Sequence, residues 1–327
     1  MRILSGDDVR RSITMEAAIQ AMISAFSELA ADQAALPLRS RIELPDHAAV
    51  ALFMPAYLAQ SGVLGTKVVS VFPHNPTQYQ QPSIYALIAL FDSQTGKPLA
   101  VLDGTHLTAL RTGAVSGAAT HYLARPEARV LTVFGAGVQA RTQVQAVCAV
   151  RDIAEVRVVN RTPERAAQLL ELLRADGIAA QVQIAADAAT ALAGADVVCC
   201  ATGAPTPLFA AAEVSAGTHI NAIGTHTPQH AEVPAATVAQ AQVFVDDWDA
   251  ALAEAGDILC ARAAGLIDIR HIRGTLGDLV LGNVQGRTSP TDITLFKSVG
   301  IAIQDLAVAG VVLAYAREHE IGVEVPL

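Results

Sequence analysis

An apolar run, Val130–Phe134, ends directly in Gly135-Ala-Gly-Val-Gln-Ala140, and this junction limits the possible folds more than any other part of the chain. The run predicts a buried strand, and the residues after the glycines predict a helix as far as about Val150. In such a junction the glycines allow a tight turn, and free N–H groups at the helix N-terminus can bind a pyrophosphate. A glycine-rich turn without a ligand is the alternative. The candidate cofactor-binding residues here are Gly135, Gly137, Val138, Gln139 and Ala140, with Thr202 after a later strand.

The chain after Pro126 alternates short apolar runs with helical patterns. One helix is expected over Pro163–Ala175. Strands that alternate with helices specify a parallel, doubly wound sheet. The further strands are expected at Val156–Val159, Val182–Ile184, Val197–Ala201, His219–Ile223 and Val243–Asp246.

The chain before Pro126 has a different pattern. Thr14 is suited to cap a helix from Met15 to about Ala31. Short β-like runs follow between Leu36 and Val101, and a glycine-containing turn at residues 92–97 joins two of them, so we expect an antiparallel sheet. A last helix, about Val299–His319, can rejoin this first domain.

Composition excludes several functions. The 327 residues contain 22 Lys and Arg against 31 Asp and Glu, a net charge of −9, which argues against a nucleic-acid-binding protein. With 52% hydrophobic and 16% charged residues the chain is expected to be globular. The apolar stretch Leu306–Ala316 is too short to cross a bilayer, so no membrane association is expected. The N-terminus has no apolar core of signal-peptide length, which favours the cytoplasm.

No metal site is expected. The four cysteines have no metal-ligand spacing and are interpreted as reduced core thiols. His226 and His230 are separated by Pro228, which prevents a shared helical face, and no third ligand is evident. Because this segment follows a predicted strand, one of the histidines can instead titrate near a substrate.

The end of the second Rossmann strand selects the cofactor. An acidic residue there would bind the ribose 2′-hydroxyl of NAD, whereas this chain has Asn160-Arg161-Thr162 with Arg165 one turn further on. A guanidinium and a hydroxyl suit a 2′-phosphate and favour NADP(H), with NAD(H) as the other possibility. The alternative is that both arginines belong to a solvated helix face.

Three cations in the first domain could bind a carboxylate. Lys67 lies in an otherwise apolar strand and Arg111 in an apolar helix, while only one of Arg39 and Arg41 is expected to join them. Lysine and arginine converging on a cleft would hold a carboxylate, with arginine able to bind it through two nitrogens. A strand lysine that reaches water is the other reading of Lys67. Ser83 is a plausible polar neighbour of the substrate.

Five strings of the chain, in the same order, resemble the ornithine cyclodeaminase/μ-crystallin family. They are Gly65-Thr-Lys67, Phe91-Asp-Ser-Gln-Thr-Gly-Lys-Pro-Leu99, Leu107-Thr-Ala-Leu-Arg-Thr112, Gly135-Ala-Gly-Val-Gln-Ala140 and Leu295-Phe-Lys-Ser-Val-Gly300. The resemblance implies an α/β fold in which a Rossmann domain, residues 121–304, is inserted into a smaller α/β dimerisation domain, residues 1–120 plus 305–327. It also implies a homodimer joined through the sheets of the first domains.

The resemblance further implies site residues and an activity. Arg41, Lys67 and Arg111 match the family's substrate-binding positions. Cyclodeaminases have an aspartate where this chain has His226, and Asn-Arg-Thr at 160–162 is similar to the sequence of NADPH-using ketimine reductases. Both positions favour reduction over cyclodeamination.

We therefore expect an NAD(P)H-dependent reductase of cyclic ketimine carboxylates, which converts Δ1-pyrroline-2-carboxylate or Δ1-piperideine-2-carboxylate to L-proline or L-pipecolate. Lys67, Arg111 and His226 are the expected catalytic residues. Lys67, His226 or a water could donate the proton to the imine. An alanine dehydrogenase, an ornithine cyclodeaminase and a binding protein without catalysis are the alternatives.

Overall fold

The computed structural model describes residues 1–326, which fold as two compact units. The first unit contains residues 1–111 and 301–326, and the second contains Thr112–Gly300. The domain boundaries expected from the sequence, 120/121 and 304/305, fall slightly further along the chain and stay a prediction.

The strands, in chain order, are β1 (Arg2–Leu4), β2 (Ala34–Ala35), β3 (Ser40–Leu44), β4 (Ala49–Leu58), β5 (Val63–Val71), β6 (Ile84–Asp92), β7 (Pro98–Asp103), β8 (Val130–Phe134), β9 (Glu155–Val159), β10 (Gln181–Ile184), β11 (Val197–Cys200), β12 (His219–Ala222), β13 (Gln242–Val245), β14 (Ile272–Thr275), β15 (Thr294–Lys297) and β16 (Val323–Glu324).

The α-helices are α1 (Gly6–Ser12), α2 (Met15–Ala30), α3 (Asn75–Gln78), α4 (Gly104–Leu123), α5 (Val138–Val150), α6 (Pro163–Ala175), α7 (Ala188–Leu192), α8 (Ala235–Gln240), α9 (Trp248–Glu254), α10 (Gly256–Ala263), α11 (Leu276–Leu281) and α12 (Ala302–Glu318). The Thr14 cap of α2 is confirmed, because its side chain accepts a hydrogen bond from the Ala17 N–H.

The sheet of the first unit has the order β16-β1-β7-β6-β5-β4-β2, and β3 pairs with β4. The hairpin between β6 and β7 is confirmed, and Gly96 takes the left-handed conformation that its turn requires. The antiparallel sheet expected between Leu36 and Val101 is confirmed, because the strands from β3 to β7 pair antiparallel with one another. The sequence does not predict β1, which lies outside that range and runs parallel to β7. At three residues, β1 is too short to show a period of two in the sequence.

The two faces of this sheet differ in burial. One face packs against α12, which in turn packs against α2, and its side chains, such as Met54, Ile88 and Leu102, are buried. Side chains on the other face stay open, with Phe53 37% exposed and Leu87 44% exposed. The strand register places these two side chains in one row across β4, β5 and β6. The open face is therefore apolar.

The second unit contains the predicted parallel sheet. Its strands follow the order β10-β9-β8-β11-β12-β15-β13-β14, and every pair is parallel. The chain order reverses between β8 and β11, and ligands of doubly wound sheets bind at such a point, outside the carboxyl ends of the strands. The expected Rossmann-type α/β fold is confirmed.

Two features are absent from the residues that the structure describes. No helix of residues 1–326 is long and apolar enough to cross a membrane. Within the same range, no group of histidine, cysteine or acidic side chains could hold a metal ion. The cysteines are free thiols; Cys199 and Cys200 are buried, whereas Cys148 and Cys260 are half-buried.

Candidate active site

The turn after β8 has the backbone conformation that only glycine adopts readily. Gly135 has φ +110°, and its N–H donates to the Val159 carbonyl at 2.9 Å. A Cβ at this position would lie 2.5 Å from the Ala201 carbonyl oxygen, which is shorter than any normal contact. Glycine thus lets the chain turn sharply beside the end of β11, at the point where the strand order reverses.

The helix that follows begins in open space. Gly137 caps α5 with no side-chain hydrogen bond, and no atom lies within 4 Å of where its Cβ would be. Val138 is 67% exposed, whereas Ala140 is buried in the core of the unit. The buried Gln139 Oε1 has no hydrogen-bond partner among the described residues. Free N–H groups at an uncapped, accessible helix N-terminus fit the pyrophosphate of a dinucleotide.

The end of β9 presents two arginines to solvent. Arg161 and Arg165 are exposed, and neither guanidinium forms a hydrogen bond or ion pair with another residue of the described chain. The Asn160 side chain donates to the Thr162 carbonyl at 2.8 Å and so fixes the turn. The arrangement can accept an anionic group beside the ribose, as the sequence predicts.

A buried carboxylate joins the ends of β11 and β12. Glu232 Oε1 accepts hydrogen bonds from the Thr202 N–H at 2.7 Å and hydroxyl at 2.6 Å, and Oε2 accepts the Gly224 N–H at 2.8 Å. Glu232 is fully buried, and desolvation raises the pKa of its carboxyl from 4.5 to about 7. This contact holds the predicted cofactor residue Thr202 in place.

An ion pair lies next to this carboxylate. Lys297 Nζ is 2.7 Å from Asp257 Oδ2 and donates to the Thr225 carbonyl at 2.6 Å. Asp257 Oδ1 accepts the Glu232 N–H at 2.7 Å. His226, one of the predicted proton donors besides Lys67 and a water, is exposed in the segment that these contacts anchor. Its catalytic role stays a prediction.

The first unit buries a cluster of two cations and one anion. Lys67 on β5 is 2% exposed, Arg111 on α4 is 7% exposed, and Asp305 on α12 is fully buried. Lys67 Nζ lies 2.7 Å from Asp305 Oδ2, and Arg111 Nε donates to Asp305 Oδ1 at 3.0 Å. Arg111 Nη1 also donates to Gln304 Oε1. The sequence singled out both cations but neither partner on α12.

The charges of this cluster do not cancel. Two cations and one carboxylate leave one net positive charge in a site that water barely reaches. Burial lowers the pKa of Lys67 from 10.5 to about 8; Asp305 opposes this shift, whereas Arg111 and Arg39 add to it. A buried surplus cation is stabilised by an anionic ligand.

The other predicted substrate-binding residues, Arg41 and Ser83, are more exposed than Lys67 and Arg111. Arg41 is exposed and forms an ion pair with Glu43 at 2.5 Å. Ser83 is half-buried, and its carbonyl accepts the Phe72 N–H at 2.7 Å. The expectation that only one of Arg39 and Arg41 joins the cluster has no basis in strand alternation, because residues two apart share a face. Arg39, which precedes β3, is the one whose charge acts on Lys67.

A family model described as "Ornithine cyclodeaminase/mu-crystallin family" matches residues 1–320. The chain belongs to this family. Among its relatives, a Delta(1)-pyrroline-2-carboxylate reductase of Bacillus cereus is 36% identical over 323 residues, which cover 98% of both chains. The solved structure of Thermococcus litoralis Delta(1)-pyrroline-2-carboxylate reductase, in complex with NADH and L-proline, is 40% identical with a TM-score of 0.95 and covers 99% of this chain and 100% of its own.

A second solved member of the family is an archaeal alanine dehydrogenase, described as a dimer with bound NAD. It is 34% identical, with a TM-score of 0.93, and covers 100% of this chain and 99% of its own. The family and the fold that the sequence predicts are both confirmed.

Proposed function

We propose that this chain is an NAD(P)H-dependent reductase that converts Δ1-pyrroline-2-carboxylate to L-proline, with the six-membered Δ1-piperideine-2-carboxylate as a related substrate. The full-length similarity to pyrroline-2-carboxylate reductases confirms the reductase predicted from the sequence. The observation that carries the proposal is the buried cluster of Lys67, Arg111 and Asp305, whose net positive charge suits one carboxylate.

Arg111 and Lys67 bind the substrate carboxylate in this proposal. The Arg111 guanidinium is held on two sides, by Asp305 through Nε and by Gln304 through Nη1. A guanidinium fixed in this way offers its remaining N–H groups to a carboxylate in one orientation. Such positioning of the substrate contributes several kcal/mol to lowering the barrier of a reaction. Arg41 and Ser83 stay predicted substrate-binding residues.

Lys67 donates the proton that the reaction needs. When bound, a nicotinamide dinucleotide would supply the hydride that the imine carbon accepts. An ammonium N–H bond of Lys67 breaks as an N–H bond forms on the ring nitrogen, and Lys67 is neutral until solvent returns a proton. A pKa of about 8 suits this transfer near neutral pH, because the lysine is protonated yet more acidic than in water.

The cofactor belongs to the nicotinamide dinucleotides, and we infer a preference for NADP(H). The support is the pair of exposed guanidiniums at Arg161 and Arg165 together with the Thr162 hydroxyl, in the place where NAD-binding chains carry an acid. The Gly135 turn and the uncapped start of α5 would hold the pyrophosphate. The expected cytoplasmic location stays a prediction.

Alanine dehydrogenase activity is the second candidate, favoured by the similarity to the archaeal enzyme. It requires the same carboxylate site with free ammonia as an extra reactant. Ornithine cyclodeamination is disfavoured because His226 provides no carboxylate for a side-chain amine.

A substrate panel tests the proposal. Oxidation of NADPH is followed by absorbance with Δ1-pyrroline-2-carboxylate, with pyruvate plus ammonia, with L-ornithine, and without substrate. We expect oxidation with the ketimine at a rate at least about tenfold above the others, a difference of about 1.4 kcal/mol in barrier. Faster oxidation with pyruvate and ammonia, or ammonia release from ornithine, would overturn the proposal.

We also infer that two copies of the chain pair through the open apolar face of the first sheet. Phe53, Tyr85 and Leu87 are 37%, 46% and 44% exposed and lie together on that face, and contiguous exposed apolar side chains mark interaction surfaces. The solved archaeal relative is a dimer. Leu87→Lys is expected to give monomers in sedimentation velocity. The control variant Val311→Lys, on the exposed side of α12, is expected to remain a dimer. A wild-type chain that sediments as a monomer contradicts the inference.

A further inference from the structure

Asp305 separates the two cations of the buried cluster. Its Oδ2 lies 2.7 Å from Lys67 Nζ, and its Oδ1 accepts the Arg111 Nε hydrogen bond at 3.0 Å, so each oxygen serves a different cation. The carboxylate is fully buried. Neither the family resemblance nor the proposed chemistry gives it a role.

Packing alone does not favour a carboxylate at position 305. Its neighbours on α12, Ile303 and Leu306, are buried apolar side chains, and burying an ionised carboxylate is costly unless it is paired. A leucine would fill such a position without that cost. The carboxylate is therefore explained by its charge interaction with the two cations, Lys67 and Arg111.

The charged groups that face Lys67 come from three parts of the first unit. Arg111 on α4 and Arg39 before β3 disfavour the ammonium form, as burial does, while Asp305 on α12 favours it. Among the described groups that shift the pKa of Lys67, the Asp305 carboxylate thus raises it, whereas burial, Arg111 and Arg39 lower it. Loss of its charge would leave a lysine that gives up its proton at lower pH.

We propose that Asp305 is a positioning residue that keeps Lys67 protonated and oriented for proton donation to the imine nitrogen. The proposal rests on the proposed function, since it needs a reaction in which Lys67 gives up a proton. Asp305 acts through Lys67 and Arg111 and does not itself donate to the substrate.

Gln304, the residue before Asp305, provides a matched control. Its Oε1 accepts from Arg111 Nη1, and because a guanidinium only donates, this contact identifies the oxygen end of the amide. Its buried Nε2 has no acceptor among the described residues. Gln304 is uncharged, so its replacement disturbs Arg111 and leaves the charge facing Lys67 unchanged.

The test is the pH dependence of kcat/KM for ketimine reduction at saturating NADPH. In the wild type, kcat/KM falls as pH rises through about 8, where Lys67 loses its proton. In Asp305→Asn this inflection moves lower by about one pH unit or more. Asp305→Glu restores it towards the wild-type position, and Gln304→Met raises KM without moving it. The substrate's own titration is common to all variants and cancels in the comparison.

An inflection that stays in place in Asp305→Asn overturns the proposal. If Asp305→Asn does not fold, Arg111→Gln is used to test the proposal. It removes the positive charge near Lys67 and leaves Asp305 in place, so the inflection is expected to move to higher pH. An inflection that stays in place or moves to lower pH in Arg111→Gln overturns the proposal. Absence of ketimine reduction in the wild type overturns the proposed function itself, and the role of Asp305 with it.

Discussion

Replacing Glu232 with glutamine is expected to change how the stability of the protein depends on pH. The Glu232 carboxyl is fully buried where it joins Thr202 to Gly224, and desolvation raises its pKa from 4.5 to about 7. Above pH 4.5 the unfolded chain has lost this proton, while the folded chain keeps it until about pH 7. The group therefore stabilises the fold fully below pH 4.5, and this contribution is lost as pH rises to about 7. Glutamine does not titrate, so the variant lacks this dependence.

The size of the effect follows from the two pKa values. A pKa unit corresponds to about 1.4 kcal/mol, and the interval from 4.5 to about 7 corresponds to roughly 3 kcal/mol over the full titration. Between about pH 5 and pH 8 the change amounts to about 2.5 kcal/mol. Glutamine also turns an N–H group towards backbone donors, which costs about 1–3 kcal/mol at every pH. The constant loss cancels when the two pH values are compared.

Urea unfolding measures this difference. The single tryptophan, Trp248, lies on α9 of the second unit and reports its unfolding by fluorescence. Relative to the wild type, the free energy of unfolding of Glu232→Gln is expected to rise by about 2.5 kcal/mol from pH 5 to pH 8. Glu164→Gln, at an exposed glutamate of the same unit, is the control and should change by less than about 0.5 kcal/mol. Equal changes in the two variants would contradict a raised pKa of Glu232 in the folded protein.

Three further substitutions test other parts of the site. Gly135→Ala is expected to weaken NADPH binding at least about tenfold and to destabilise the fold by about 2 kcal/mol or more. The reason is that φ of Gly135 is +110° and the new Cβ would meet the Ala201 carbonyl. The control variant Gly137→Ala, whose new Cβ would lie in open space, should be as stable as the wild type. Thermal unfolding and fluorescence titration check both. Arg161→Asp should shift the ratio of kcat/KM for NADPH over NADH at least about tenfold towards NADH, and an unchanged ratio removes the argument for NADP(H). Arg111→Ala should raise KM for the ketimine about a hundredfold, which is the size expected for loss of a charge-assisted hydrogen bond, and should change the Kd for NADPH little. If KM for the ketimine and Kd for NADPH rise equally, Arg111 has a structural role.

Much of the fold could be predicted from the sequence because its local signals are strong. The helix Pro163–Ala175 and the strand Val130–Phe134 have the bounds that their patterns predict. The sequence does not indicate strands β14 and β15, because neither is an apolar run: β14 is Ile-Arg-Gly-Thr and β15 is Thr-Leu-Phe-Lys. β15 also lies between β12 and β13, which are distant from it in the chain. A four-residue segment carries too little periodicity to indicate where it pairs.

The site could be predicted only in part, for the same reason. Lys67 and Arg111 stand out in apolar segments, but Asp305 lies 194 residues from Arg111, and only the fold shows that they meet. Glu232 and Asp257 likewise accept hydrogen bonds from loop backbone N–H groups that are 30 and 25 residues away in the chain, those of Thr202 and Glu232. Arg41 is predicted from family position alone, whereas strand alternation places it on the same face of β3 as Glu43, with which it forms an ion pair.

Deuterium transfer shows whether the chain reduces the ketimine with a hydride from the nicotinamide. The wild-type enzyme is given Δ1-pyrroline-2-carboxylate and NADPH that carries deuterium at C4 of the nicotinamide on the transferred face, and the product is analysed by mass spectrometry. The account predicts L-proline with one deuterium at Cα for each NADPH oxidised. Proline without deuterium, or oxidation of NADPH without any proline, would contradict it.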